Sequence, residues 1–217
     1  MTNGEFPKTL ILSDAGLPSV VACVAAREAA IGAGCDAGAI ADRVVAAPFA
    51  LSTQSALLQR RAVVAQAEAT GVGALKETPP LASVNAHASA DEREGIELLG
   101  ALLAAAHAGF RRVVWPASAG AGESVDIDRL SQIADRALCA ARYASVCAAD
   151  DGAGVELETP YAELSDRQLA ELALDMGCPV DTCWWALASG GQDDPVKAER
   201  QRWQRAFEIV GWTISAA

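Results

Sequence analysis

Apolar positions along the chain fall into two rhythms. Short unbroken runs such as Thr9-Leu10-Ile11-Leu12 read as buried strands, because a strand covered on both faces needs no polar alternation. Longer Ala-rich stretches between capping residues read as helices. The order begins with a strand over 9–12 and a helix over 19–31, ended by Gly32-Ala33-Gly34. A second strand spans 43–49. Ser52 or Thr53 caps a helix that runs to Thr70 and stops at Gly71, and 74–76 is a short third strand. After a loop over 78–89, Ser89 caps a helix ending at Gly109. Asp91, Glu92 and Glu94 lie in its first turn, where the helix dipole favours anions. A strand over 111–116, a small-residue loop over 117–123, a helix over 128–145 and a strand over 155–160 follow. Ser165 caps the next helix, which Gly177 closes, and a turn over 190–195 precedes a last helix over 196–210.

Strands that alternate with helices of about 15 residues predict an α/β fold. The expected form is a doubly wound parallel sheet with helices on both faces and right-handed crossovers, in one domain over 1–217. Ligands of such sheets bind beyond the carboxyl ends of the strands, where the winding reverses. The loops 13–19, 49–54, 116–128 and 159–164 are therefore the places to look.

Composition narrows the picture. Hydrophobic residues make up 52% of the chain but aromatic residues only 5%, so the core is expected to pack closely spaced helices through small side chains. The net charge of −11 argues against a broad nucleic-acid groove, which needs Lys and Arg. Six cysteines (Cys23, Cys35, Cys139, Cys147, Cys178 and Cys183) form no C-x-x-C pair, and only His87 and His107 could join them in a metal site. They read as buried free thiols. No signal peptide and no run of about 18 apolar residues is seen, so a cytoplasmic protein with no membrane span is expected.

The first loop carries the most chemistry. A strand enters Ser13-Asp14-Ala15-Gly16-Leu17-Pro18-Ser19 and a helix leaves it, the layout that offers free backbone N–H groups to a phosphate. Asp14 places a carboxylate there, and Pro18 removes a donor. Gly16 reads either as a phosphate-loop glycine or as a plain turn residue. Ser19 reads as a ligand or a cap, and Asp14 as an altered site residue or as the cap of the helix itself.

Several loops together resemble the PP-loop ATP pyrophosphatases, and within them the 7-cyano-7-deazaguanine synthases of queuosine biosynthesis. Glu158-Thr159-Pro160-Tyr161, with Leu164-Ser165, Leu169, Leu172 and Met176-Gly177-Cys178-Pro179, is similar to that family's E-T-P-L, L-(T/S)-K and L-G-V-P segment. Trp184 falls at the Trp of its T-W-S-C, and Arg205-Ala206-Phe207 resembles its final R-x-x-A/G-F. The first loop is similar to S-G-G-x-D-S, with Gly16 and Ser19 kept and Asp14, Ala15 and Pro18 in place of Ser, Gly and Asp. Gln54 matches the Gln of a Tyr-Gly-Gln after the second strand. Ser118 and Val125-Asp126 correspond loosely to the family's Asn and Tyr-Pro-Asp, of which only Asp126 keeps an acceptor for a purine-like edge.

The resemblance implies an adenine-nucleotide α-hydrolase fold, ATP as cofactor and a nitrile-forming ligase activity. It also implies four zinc cysteines, at whose positions stand Ala186, Asp194, Lys197 and Arg200, so zinc is not expected. Segment 178–217 then replaces the zinc region with helix. Ser13, Asp14, Gly16, Ser19 and Gln54 read as the relic of a nucleotide site, and Ser118 and Asp126 as substrate contacts. A divergent member with impaired or lost ATP chemistry, binding a nucleotide or purine-like small molecule, is the first expectation. An active ligase of the same superfamily with an altered substrate is the second. The third is an interaction module using the Trp-rich C-terminal region as a surface, a homodimer for example.

Overall fold

The computed structural model of the protein describes residues 6–51, 55–75, 89–147, 154–188 and 194–213. Strand β1 (Thr9–Ser13) leads into α1 (Leu17–Gly32). A 3-10 turn over Ala37–Ala39 and the one-turn α2 (Ile40–Arg43) deliver the chain to β2 (Val44–Pro48). Then come α3 (Ala56–Thr70), β3 (Gly73–Ala74), α4 (Ala90–His107) and β4 (Arg112–Val114). The bridges β5 (Gly120–Ala121) and β6 (Ser124–Val125) form a small antiparallel hairpin before α5 (Ile127–Cys147). Strand β7 (Glu156–Glu158), α6 (Asp166–Asp175), a 3-10 turn over Val180–Thr182, the one-turn α7 (Trp184–Leu187) and α8 (Asp194–Ile209) complete the order.

The sheet is parallel throughout, in the order β3-β2-β1-β4-β7. Its strands are apolar on both faces because both are covered. Leu10, Leu12, Val45, Ala47 and Val113 join Leu98 and Leu102 of α4 and Ile133 and Ala140 of α5 in one core. Ile11, Val44, Ala46 and Val114 join α1, α3, α6 and the Trp203 and Phe207 rings of α8 in the other. The crossovers through α1 and α3 thus lie on one face, and those through α4 and α5 on the opposite face. This is the expected doubly wound α/β arrangement, and the winding reverses between β1 and β4.

Local signals explain most of the elements. Ala22, Ala26 and Ala30 recur at every fourth position of α1 and are 2%, 4% and 0% exposed, so small side chains line its packed face. Ser89 and Ser165 each accept the N–H three residues on, from Glu92 and Gln168, whose side chains reach back to the cap N–H. Helix α1 begins at Leu17, two residues earlier than read from the sequence. Pro18 falls in its first turn, where an N–H has no intrahelical partner to lose. The loop over 117–123 holds half of the β5–β6 hairpin instead of being featureless. The capping positions Ser52 and Thr53, Lys76 and the 78–88 loop lie outside the described residues. Among the described residues no helix is long and apolar enough to cross a membrane.

Candidate functional site

A cavity of about 370 Å³ opens at the carboxyl ends of β1 and β4, where the winding reverses. Leu12 and Asp14 reach it from β1 and the following loop, and Phe49 and Ala50 from the end of β2. Trp115 to Ala121 follow β4, Asp126 and Arg129 open α5, Glu94 belongs to α4, and Glu199, Arg202 and Trp203 to α8.

The first loop is held from within. Ser13 is buried, and its Oγ accepts the Ala15 N–H at 3.1 Å while its carbonyl accepts the Phe49 N–H at 2.8 Å. Oδ1 of Asp14 accepts the Gly16 N–H at 2.8 Å and the Ser19 hydroxyl at 2.7 Å. A side-chain carboxylate therefore holds the N–H of Gly16 and a hydroxyl at the head of α1, but the N-cap is Gly16 and Asp14 does not cap the helix. Ala15 adopts a φ of 63°, the left-handed region that favours glycine and costs other residues about 1 kcal/mol. Its neighbours fix that conformation. Nε2 of the fully buried Gln66 donates to the Ala15 carbonyl at 3.0 Å and the Gly16 carbonyl at 3.2 Å. The Trp184 N–H donates to the Ala15 carbonyl at 3.1 Å, and Gln59 Nε2 to the Asp14 carbonyl at 3.1 Å.

The opposite wall is charged and cross-braced. Asp126 caps α5, its Oδ1 accepting the Arg129 N–H at 3.0 Å, and Ser118 Oγ accepts the Gly120 N–H at 3.0 Å. Glu94 pairs with both Arg129 and Arg136, and Asp91 pairs with the same two guanidinium groups. Asp166, only 1% exposed, takes Arg202 Nε at 2.9 Å and Nη2 at 2.6 Å, together with the Gly122 N–H at 2.9 Å. Arg202 also donates to the Gly120 carbonyl at 3.0 Å and to Glu199 at 3.4 Å, and it lies over the Trp203 ring. A Cβ on Gly120 would stand 2.4 Å from Asp166 Oδ1 and 2.8 Å from its N, so this contact requires glycine.

Burial pushes the Glu199 carboxyl above its usual range, with Asp14 and Asp166 adding to the rise and Arg202 and the Trp203 N–H opposing it. For Arg202, burial pulls downward, but the Asp166 hydrogen bond and the Glu199, Asp166 and Asp14 charges outweigh it and the guanidinium is raised. Burial also raises Glu97, whose Oε2 accepts the Ala50 N–H at 3.0 Å at the cavity rim.

Of the residues singled out in the sequence, Asp14, Ser118 and Asp126 line the cavity. Ser13, Gly16 and Ser19 do not: all three are buried behind Asp14 and serve as the frame of the loop. Gln54 lies outside the described residues. The glutamines seen to reach the first loop are Gln59 and Gln66, one and three turns further along. Their polar side chains on the buried face of a helix were the available signal. Glu94, Arg129, Glu199 and Arg202 carried no site reading in the sequence, because each lies within a segment that reads simply as helix.

The thiols split. Cys23 and Cys183 are buried, but Cys139 and Cys147 are exposed on α5, against the expectation of buried thiols: Cys139 is off the Ile133, Ala140 and Ala144 stripe that packs inward, and Cys147 is the last residue of the helix. Burial pushes Cys23 and Cys178 up to about 12 and raises Cys183. Of the positions implied for zinc, Arg200 donates to the Trp185 and Ala188 carbonyls, and Ala186 and Lys197 offer no ligand of the expected kind. Among the described residues no three His, Cys, Asp or Glu side chains gather in a metal-holding group. Trp184, Trp185 and Trp203 are 7%, 0% and 0% exposed and belong to the core, while Trp212 is 38% exposed. No protein-family model matches the chain, and no curated protein matches it.

Proposed function

We propose that this protein is a small-molecule-binding, divergent relative of the PP-loop ATP pyrophosphatases, nearest in pattern to the 7-cyano-7-deazaguanine synthases, and that it has given up ATP chemistry. One observation carries the reading: the Asp14 carboxylate occupies the Gly16 N–H and the Ser19 hydroxyl at the head of α1. In a phosphate loop those donors face the anion. Here a second negative group about 4 Å from Asp14 would cost roughly 4 kcal/mol at an effective dielectric of 20. The residues of this loop do not fit a triphosphate, so no step through ATP follows from them. The left-handed Ala15, at the position of the family's first glycine, supports common descent of the loop shape.

The cavity keeps the placement and polarity of a ligand site. Asp126 and Ser118 offer acceptors to the edge of a nitrogen heterocycle, and Trp115 and Phe49, edge to face at 6.3 Å and buried in the core, back the cavity. Titration calorimetry with ATP and Mg²⁺, run beside a pyrophosphate-release assay, tests the reading. Neither binding in the micromolar range nor pyrophosphate release is expected. Either one would overturn it and favour an active ligase with altered substrate.

A further inference from the structure

We infer that the switch-point cavity selects an organic cation, a planar guanidinium or amidinium group on a small ligand, in preference to an anionic or neutral one. The inference rests on the cavity being the ligand site, as proposed above, and adds the charge of what enters it. Four carboxylates line the cavity, from Asp14, Glu94, Asp126 and Glu199, against the guanidinium groups of Arg129 and Arg202. Both guanidinium groups are already engaged. Arg129 is held by Glu94 and Asp91, and Arg202 by Asp166, by Glu199 and by the Gly120 carbonyl. Neither is left to receive an anion.

The carboxylates are engaged only in part. Asp14 uses Oδ1 for Gly16 and Ser19, Asp126 uses Oδ1 for Arg129, and Glu199 uses Oε1 for Arg202 and Trp203. The second oxygen of each has no hydrogen-bond partner among the described residues. An ionised carboxylate can accept on both oxygens, and a planar fork of N–H donors suits such acceptors. A bare metal ion is the weaker fit, because these carboxylates are not gathered into a metal-holding group. Arg202 and Asp166 fix the geometry from outside: by tying α8 to the β5–β6 hairpin they hold Glu199 at the cavity.

The test titrates the full chain with benzamidine, guanosine and ATP with Mg²⁺, following heat and tryptophan fluorescence. Benzamidine is expected to bind, to weaken as salt is raised, and to outcompete guanosine. Asp126→Asn and Glu199→Gln keep the oxygens that accept the existing bonds, so both variants are expected to fold. Each should weaken benzamidine about ten-fold, the usual size for a hydrogen bond to a charged group. Glu208→Gln, on the exposed side of α8, should leave it unchanged. Binding of guanosine without benzamidine would overturn the inference and leave the cavity reading standing. Binding of ATP would overturn both. Benzamidine binding that is indifferent to Asp126→Asn and Glu199→Gln, or no binding at all, would also overturn the inference.

Discussion

The two walls of the cavity handle charge in opposite ways. On the β1 side, one carboxylate answers only main-chain and hydroxyl donors, and Asp14 itself remains exposed. On the α8 side, a carboxylate that is 1% exposed is matched by a forked guanidinium and a backbone N–H. The first wall can lose its charge and keep its shape, because Gln66, Gln59 and Trp184 hold the loop through its carbonyls. The second cannot, because removing either partner strands a charge in a region that water reaches poorly. A charge placed for stability is thus distinguishable from one left available to a ligand.

The sharpest way to break that contrast is Asp166→Ala. It leaves Arg202 without its main partner, and a loss of about 3 kcal/mol is expected, the low end for a broken buried pair because Arg202 is 34% exposed. Urea unfolding measures it. Gly120→Ala attacks the same wall sterically, and overpacking against Asp166 should cost about 2 kcal/mol, read as a lower thermal midpoint. On the other wall, Gln66→Leu removes the donor to the Ala15 and Gly16 carbonyls together with a buried Oε1 that has no partner. The two changes offset in part, so about 1 kcal/mol is expected in the same unfolding measurement. Asp14→Gly should cost about 1 kcal/mol, the net worth of the two hydrogen bonds its exposed carboxylate accepts from the Gly16 N–H and the Ser19 hydroxyl. It should also let the loop take up pyrophosphate, detectable by calorimetry and unseen in the parent.

The smallest effect is a pH dependence. Glu199 is raised above 4.5 in the folded chain, so the folded state holds that proton more tightly than the unfolded one. Both states are protonated below the unfolded value. Stability from this group therefore falls as pH rises from 4.5 through the raised value, and Glu199→Gln should flatten that part of the curve. Urea midpoints collected at stepped pH for parent and variant would show it, and parallel curves would deny it.

Much of the fold was legible in the sequence because its signals are local. Apolar runs made the strands, Ser89 and Ser165 capped their helices, and Gly71 and Gly177 closed theirs in left-handed conformations. The position of the cavity followed from the alternation of strand and helix, since the reversal of winding fixes where the crevice lies. Asp14 was legible as an anomaly, although its partners were not.

What the sequence by itself determined is the α/β class, the order of the elements and the loops that border the cavity, because each depends on periodicity and caps within one segment. Only the tertiary structure decided which charges meet. Gln66 reaches Ala15 across 51 residues, Arg202 reaches Asp166 across 36, and Arg202 reaches Gly120 across 82. Within its own helix each of these side chains looks like an ordinary polar residue. Its role depends on what the packed sheet brings opposite it, and no local pattern carries that information.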